Sequence, residues 1–403
     1  MSSLERYFQP NIAFAILLAV AAFQYAVFVI YLLGGSPDYV FGGDFVAFWA
    51  AARETLGGDM AALYAPDGLA AAIETHRPGA NVDGLTWQYP PHAGLIFAPI
   101  GWLPFEMAYA LWCWLGIAAF ALVLGSLGVR GHALIALIAT IPVLIVLNTG
   151  QNALFTASLM LLAVFHAKSR PVLAGLAAAL LTLKPQLGIL LPVLFLAGGH
   201  WRAFAAAALG SVLLWASALL LLGASTWIAF FEFLGVVSGS VSDGEMPLYK
   251  MVNVYAAARL AWLPDTLALS LAGLSYLAAI AAVIWICRKT EDATWRYAVL
   301  ASATLLTAPY SMYYELVLLV PALWFVAYRG HQAGWLPFER ESLAALVLLT
   351  LFVPGPATQV GVSLCFLACG LVAAVVCRRV RAEFGRPRPA FGSVPGSPAL
   401  ASD

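Results

Sequence analysis

The chain has 403 residues, 63% of them hydrophobic and only 10% charged, with twenty basic and twenty acidic side chains and a mean hydropathy of +0.89. That composition excludes an ordinary soluble domain and places the chain among polytopic membrane proteins. A formal net charge of zero gives no ground for nucleic-acid binding.

The first apolar run, Ile12 to Leu33, is too long for a signal-peptide core and carries no small-residue cleavage site, so it reads as an uncleaved first helix. Asp44 follows it in GGDFVAFWAAARETLGG, a carboxylate at the membrane edge of a charge-poor chain, and such an acid is a functional candidate by default. It opens a first outer loop, about 34 to 104, in which Phe45 to Leu56 predicts an amphipathic interfacial helix ended by Gly57 and Gly58. The later piece PPHAGLIFAPIGWLP would rise only about 22 Å as a helix and is interrupted by prolines, so it is expected to lie in the interface without crossing.

Further apolar segments occupy roughly 105–128, 132–147, 153–167, 171–183, 187–199, 203–223, 266–287, 295–308, 315–328, 342–353 and 361–377, which predicts about twelve transmembrane helices. A late outer loop is expected at about 223 to 264. Residues 1–377 then form one transmembrane domain, and 378–403, rich in Arg, Pro and Gly, form a disordered cytoplasmic tail. Basic residues mark every second connection: Arg130, Lys168 and Arg170, Arg202, Arg288, Lys289 and Arg296, Arg329 and Arg340, then Arg378, Arg379 and Arg381. By the positive-inside rule these lie in the cytoplasm with both termini, leaving Arg53, Arg77, Lys184, Lys250 and Arg259 outside.

Lys184, in LLTLKPQLG, sits at the apex of two apolar pieces too short to reach the outer surface. A turn at that depth needs protein or a water-filled cavity around it, and a lysine there requires an anion. NTGQN, with Gln151 and Asn152, has the same geometry, so the two hairpins are expected to open one outward cavity. TWQYPPH offers Tyr89 and His92 at the interface, and TAPYSMYYE brings Tyr310, Tyr313, Tyr314 and Glu315 to the outer end of a helix. The five cysteines all fall in apolar segments, and neither a metal-ligand spacing nor a paired-acid box is present, so no metal site is assigned, although a divalent ion is not excluded.

The order of these pieces carries a resemblance. An acid shortly after the first helix, LGG and ALY, a YPP segment before a helix with Trp112, GQNALF, RPVLAGLAAALLTLKPQLGILLPVLFL and APYSMYYELVLLVPAL together resemble the GT-C membrane glycosyltransferases. The chain is more closely similar to glycosyltransferase family 87, the polyprenyl-phosphate-mannose-dependent mannosyltransferase-like proteins. Where relatives carry a histidine in the last of these segments, this chain has Met312.

The resemblance implies an all-α GT-C-type bundle in the cytoplasmic (inner) membrane, multi-pass, with its active site facing the periplasm or exterior. It implies transfer of a sugar, a hexose such as mannose, from a polyprenyl-phosphate donor to a glycan or glycolipid acceptor, with inversion and without a cofactor. Asp44 would be the general base. Lys184, with Arg53, Lys250 and Arg259, would meet the donor phosphate, and Tyr89, His92, Gln151, Asn152, Tyr310, Tyr313, Tyr314 and Glu315 would contact substrate. A multi-helix transporter and an O-antigen polymerase or ligase-like enzyme are the alternatives. The first is disfavoured by the lack of an internal repeat, the second by a late loop with few cations.

Overall fold

The structure is a computed structural model that describes residues 42–80, 85–242, 247–351 and 364–384; the expected first helix at 12–33 and the tail beyond Phe384 lie outside these residues. Every described element is helical, and the single strand-like feature is an isolated antiparallel bridge between Met251 and Met312.

Among the described residues three helices are long and apolar enough to cross a membrane: Phe105–Ser126, Trp201–Val237 and Asp265–Lys289. A fourth crossing is available if His132–Ile138 and Ile141–Thr149, bent by 49° at the proline-led break between them, count as one. Ala153–Phe165, Pro171–Leu183 and Pro185–Ala197 are apolar but shorter. The long helices present their apolar side chains outward: Leu220 is 82% and Leu122 73% exposed, as befits surfaces solvated by lipid. Among the described residues, then, three or four helices of membrane length stand with shorter apolar ones, and the expected first crossing lies outside those residues.

Two cores organise the molecule. The larger runs through the bundle, from Phe120 and Met160 to Leu300, Val326 and Val376. The smaller belongs to the first loop and gathers Phe45, Phe48, Trp87, Phe97, Phe105 and Trp112. The Phe45–Gly57 helix lies at the centre of this second core. Its residues from Phe45 to Ala52 are buried on all faces, so it is not the amphipathic interfacial helix expected from its pattern. Phe48 shows why: Trp87, Tyr89, Phe97 and Trp112 surround it at ring separations of 5.2 to 6.2 Å.

Much of the segment expected as a late loop at 223–264 is also helical among the described residues. Gly223 adopts φ 82°, ψ 164° and breaks the Trp201–Ser242 helix, and the chain beyond it folds over the first loop, with Phe230 and Phe233 against Tyr64 at 5.5 and 6.0 Å. At the other end, the last helix runs Leu364–Phe384, past the boundary expected at 377. Arg379 anchors the extension: it is buried and paired with Glu339, so the helix continues past the expected boundary to Phe384. Arg296, a topology marker in the sequence, is likewise buried, donating to the carbonyls of Cys287 at 3.0 Å and Thr290 at 2.8 Å. It thereby satisfies the C-terminal end of the Asp265–Lys289 helix.

Candidate active site

Asp44 occupies the N-cap position of the Phe45–Gly57 helix, yet its side chain does not cap the helix. It accepts a hydrogen bond of 2.8 Å from Gln151 Nε2, 107 residues away. The backbone makes this meeting obligatory. Asp44 N–H donates to the Thr149 carbonyl at 3.0 Å and Gly42 N–H to the Asn148 carbonyl at 3.3 Å, so the chain before the helix is laced to the NTGQN turn.

The Phe105–Ser126 helix fixes that turn from behind. Trp112 Nε1 donates to the Gly150 carbonyl at 3.0 Å and the Tyr109 hydroxyl to the Leu147 carbonyl at 2.5 Å. Gly150 has φ 70°, and a Cβ there would stand 2.5 Å from the Cβ of Phe45, the residue after Asp44. Glycine is thus required twice over, by the left-handed backbone and by the close approach that sets Asp44 against Gln151.

A second constellation adjoins the first. Lys184 Nζ donates to Glu315 Oε1 at 2.5 Å, both side chains being almost fully buried. The ammonium also stands over the rings of Tyr314 at 5.0 Å and Tyr89 at 5.7 Å. Asn152 Nδ2 donates to the Tyr89 hydroxyl at 3.2 Å, which joins the NTGQN turn to the lysine pair. Tyr314 lies within electrostatic reach of Asp44, Tyr89 and Glu315, and its ring packs on Tyr313 at 5.4 Å.

Burial pushes the Asp44 carboxyl above its usual range; the Gln151 hydrogen bond, then the charges of Lys250 and Lys184, act in the opposite direction. Lys250 is brought within that reach by the Met251–Met312 bridge and the Val252 N–H to Ser311 carbonyl bond of 3.0 Å. Burial raises the Tyr89 hydroxyl to about 12, so it stays protonated at neutral pH.

Other expected residues stand apart. Arg53 lies nine residues along its helix from Asp44, about 13 Å of rise, with its guanidinium over the Trp49 ring at 4.7 Å. Arg259 pairs with Asp265 at 3.5 Å, beside the Tyr255 hydroxyl, and Tyr310, at φ 55°, lies near that group. His92 is fully buried, with Nε2 at 3.1 Å from the Thr182 hydroxyl and its ring at 6.3 Å from both Trp215 and Trp227. Because Thr182 gives its own proton to the Ala179 carbonyl at 2.5 Å, its oxygen accepts from His92 Nε2–H. Among the described residues no hydrogen bond joins His92 to Asp44, Gln151 or Asn152. Among the described residues, too, no three His, Cys, Asp or Glu side chains come together as a metal site.

His92 yields a pH prediction. Burial lowers its pKa to about 4, against which the Thr182 hydrogen bond is a smaller effect. The unfolded chain therefore binds the proton first as pH falls below about 6.5, the free-histidine value. Stability is complete above that pH and declines towards pH 4, by no more than about 3 kcal/mol. Thermal melting of the purified protein between pH 7 and 4 should show this slope, and His92→Gln should flatten it; parallel slopes would remove His92 as the cause.

Residues 87–309, more than half of the chain, match the sequence model of the family described as Glycosyltransferase family 87. The chain belongs to glycosyltransferase family 87. No curated protein and no solved structure matches it. As a member of this GT-C type family it is a membrane glycosyltransferase in class, acting on a sugar donor and an acceptor. The matched span holds Tyr89, Gln151, Asn152, Lys184 and Lys250 but begins after Asp44 and ends before Glu315. For this family-87 chain, then, it is the fold that adds those two carboxylates to the matched residues. Sequence reasoning had missed Tyr109 and Thr182. Tyr109 sits where a helix-facing hydroxyl is unremarkable, and Thr182 gave no signal beyond its place two residues before Lys184.

Proposed function

We propose that this chain transfers a sugar, a hexose such as mannose, from a polyprenyl-phosphate carrier to an acceptor hydroxyl on a glycan or glycolipid. The reaction takes place at the outer face of the cytoplasmic membrane and inverts the anomeric configuration. The observation that carries this reading is the Asp44 carboxylate, fixed by Gln151 at 2.8 Å and within the field of Lys250 and Lys184, in a chain of family 87.

In the step itself the acceptor oxygen forms a bond to the anomeric carbon while the bond from that carbon to the phosphate oxygen breaks. The bonding pair leaves with the phosphate, and the hydroxyl proton passes to Asp44. The departing polyprenyl phosphate gains one negative charge, which a cation in a water-poor site stabilises strongly. We assign this role to Lys250, whose charge acts on Asp44 and which no carboxylate pairs with among the described residues, whereas Arg259 pairs with Asp265 and Arg53 lies over Trp49. Tyr314, within electrostatic reach of Asp44, and Tyr89 beside it supply hydroxyls. No cofactor is assigned to the step.

The test is a transfer assay on purified protein in nanodiscs with mannose labelled on two carriers. Product is expected from the polyprenyl-phosphate donor and not from nucleotide-linked mannose. Product from the nucleotide donor alone would overturn the proposed donor class.

A further inference from the structure

Three buried oxygens on the side chains of the two adjoining constellations have no hydrogen-bond partner among the described residues: Gln151 Oε1, Asn152 Oδ1 and Glu315 Oε2. The other polar atom of each side chain is already used. Gln151 Nε2 serves Asp44, Asn152 Nδ2 serves Tyr89, and Glu315 Oε1 receives Lys184. The Gln151 orientation is fixed chemically, because turning the amide would set its oxygen against the Asp44 carboxylate.

An orphaned buried acceptor costs about 1–3 kcal/mol, and Asn152 and Glu315 are 1% and 2% exposed. Three such atoms on side chains linked through Tyr89 and Lys184 call for a ligand that brings protons. Phosphate offers only acceptor oxygens and negative charge, so these atoms would repel it. Lys184 does not reverse that, because Glu315 already neutralises its charge. A hexose ring, neutral and rich in hydroxyl donors, has the required chemistry.

We infer that Gln151, Asn152 and Glu315 form a hydroxyl-reading subsite for the sugar ring, in which Lys184 is a positioning residue for Glu315 and not a phosphate ligand. This rests on the transferase reading for the origin of the sugar and places the donor phosphate on the Lys250 side of Asp44. Glu315 then discriminates among sugars, since a site built to accept from a particular hydroxyl rejects the ring that lacks it.

The experiment is binding, measured by saturation-transfer NMR on the full chain in nanodiscs. The probes are the methyl pyranosides of mannose, glucose and galactose, the monodeoxy analogues of whichever binds, and inorganic phosphate. One methyl hexoside is expected to bind, with at least one deoxy analogue about tenfold weaker or more.

In Glu315→Gln the amide oxygen takes the lysine and an N–H group faces the sugar. Hexoside binding should fall about tenfold or more, while phosphate binds no weaker. Should Glu315→Gln fail to fold, Lys184→Met/Glu315→Gln carries the same measurement without an unpaired charge. No hexoside binding to the wild type, or unchanged hexoside affinity in these variants, would overturn the subsite. So would Lys184→Met weakening phosphate while sparing the sugar. Transfer from the polyprenyl-phosphate donor is scored separately: hexoside binding that behaves as expected in a wild-type protein inactive in transfer would sink the transferase reading and leave the subsite standing.

Discussion

Asp44→Asn is expected to lower sugar transfer by about 10²- to 10⁴-fold, the usual contribution of a positioned general base. The fold should survive the change. Asparagine presents a carbonyl oxygen to Gln151 Nε2 in place of the carboxylate oxygen, and the backbone bond from residue 44 to Thr149 is untouched. The loss should fall on kcat, because removing a negative charge near Lys250 and Lys184 does not oppose binding of an anionic donor.

The pH profile supplies a second reading of the same residue. A base must be unprotonated to act, so activity is lost as pH falls through the Asp44 pKa, which burial holds above the ordinary aspartate value. The wild-type acid limb should therefore stand above that value, and Asp44→Asn should have no such limb. Near-normal turnover in Asp44→Asn, with the acid limb intact, would remove Asp44 from the chemistry.

The second large effect concerns stability. Lys184→Met leaves the Glu315 carboxylate buried without its cation, and breaking one side of a buried pair costs about 3–5 kcal/mol. Glu315→Leu alone strands the ammonium in the same way. The double variant Lys184→Met/Glu315→Leu should recover most of that stability, since replacing both partners by apolar groups of similar volume is often neutral or better. Unfolding midpoints of the four proteins in one detergent close a double-mutant cycle, and strong non-additivity is expected. Additive losses would show that the pair, 2.5 Å apart and buried, contributes no coupling. The double variant should still be impaired in transfer, because the Glu315 oxygens are gone.

Both results turn on contacts that sequence patterns reach only halfway. Lys184 and Glu315 each stand out in the chain as charges among apolar residues that need partners. That they are each other's partner, across 131 positions, follows only from packing. Asp44 and Gln151 are separated by 107 positions and meet because Gly150 lets the turn approach Phe45. The amphipathic reading of Phe45–Leu56 failed for a related reason: a helix pattern reports which residues are apolar but not how many surfaces will cover them. Here the rest of the first loop and the start of the Phe105–Ser126 helix cover Phe45 to Ala52.

The sequence by itself determined the solvent, the helical class and the family. Each is written in composition and in the local order of motifs, which do not depend on what lies across the molecule. It also marked the few polar residues that lipid makes expensive. Only the tertiary structure decided how those residues combine. Asp44 lies beside Gln151, Lys184 is matched with Glu315, and His92 is buried on Thr182. Arg53 lies over the Trp49 ring and Arg259 pairs with Asp265. The physical reason is that each charge or hydrogen-bonding group in a low-dielectric interior takes the partner that packing brings within about 3 Å, whatever the distance along the chain.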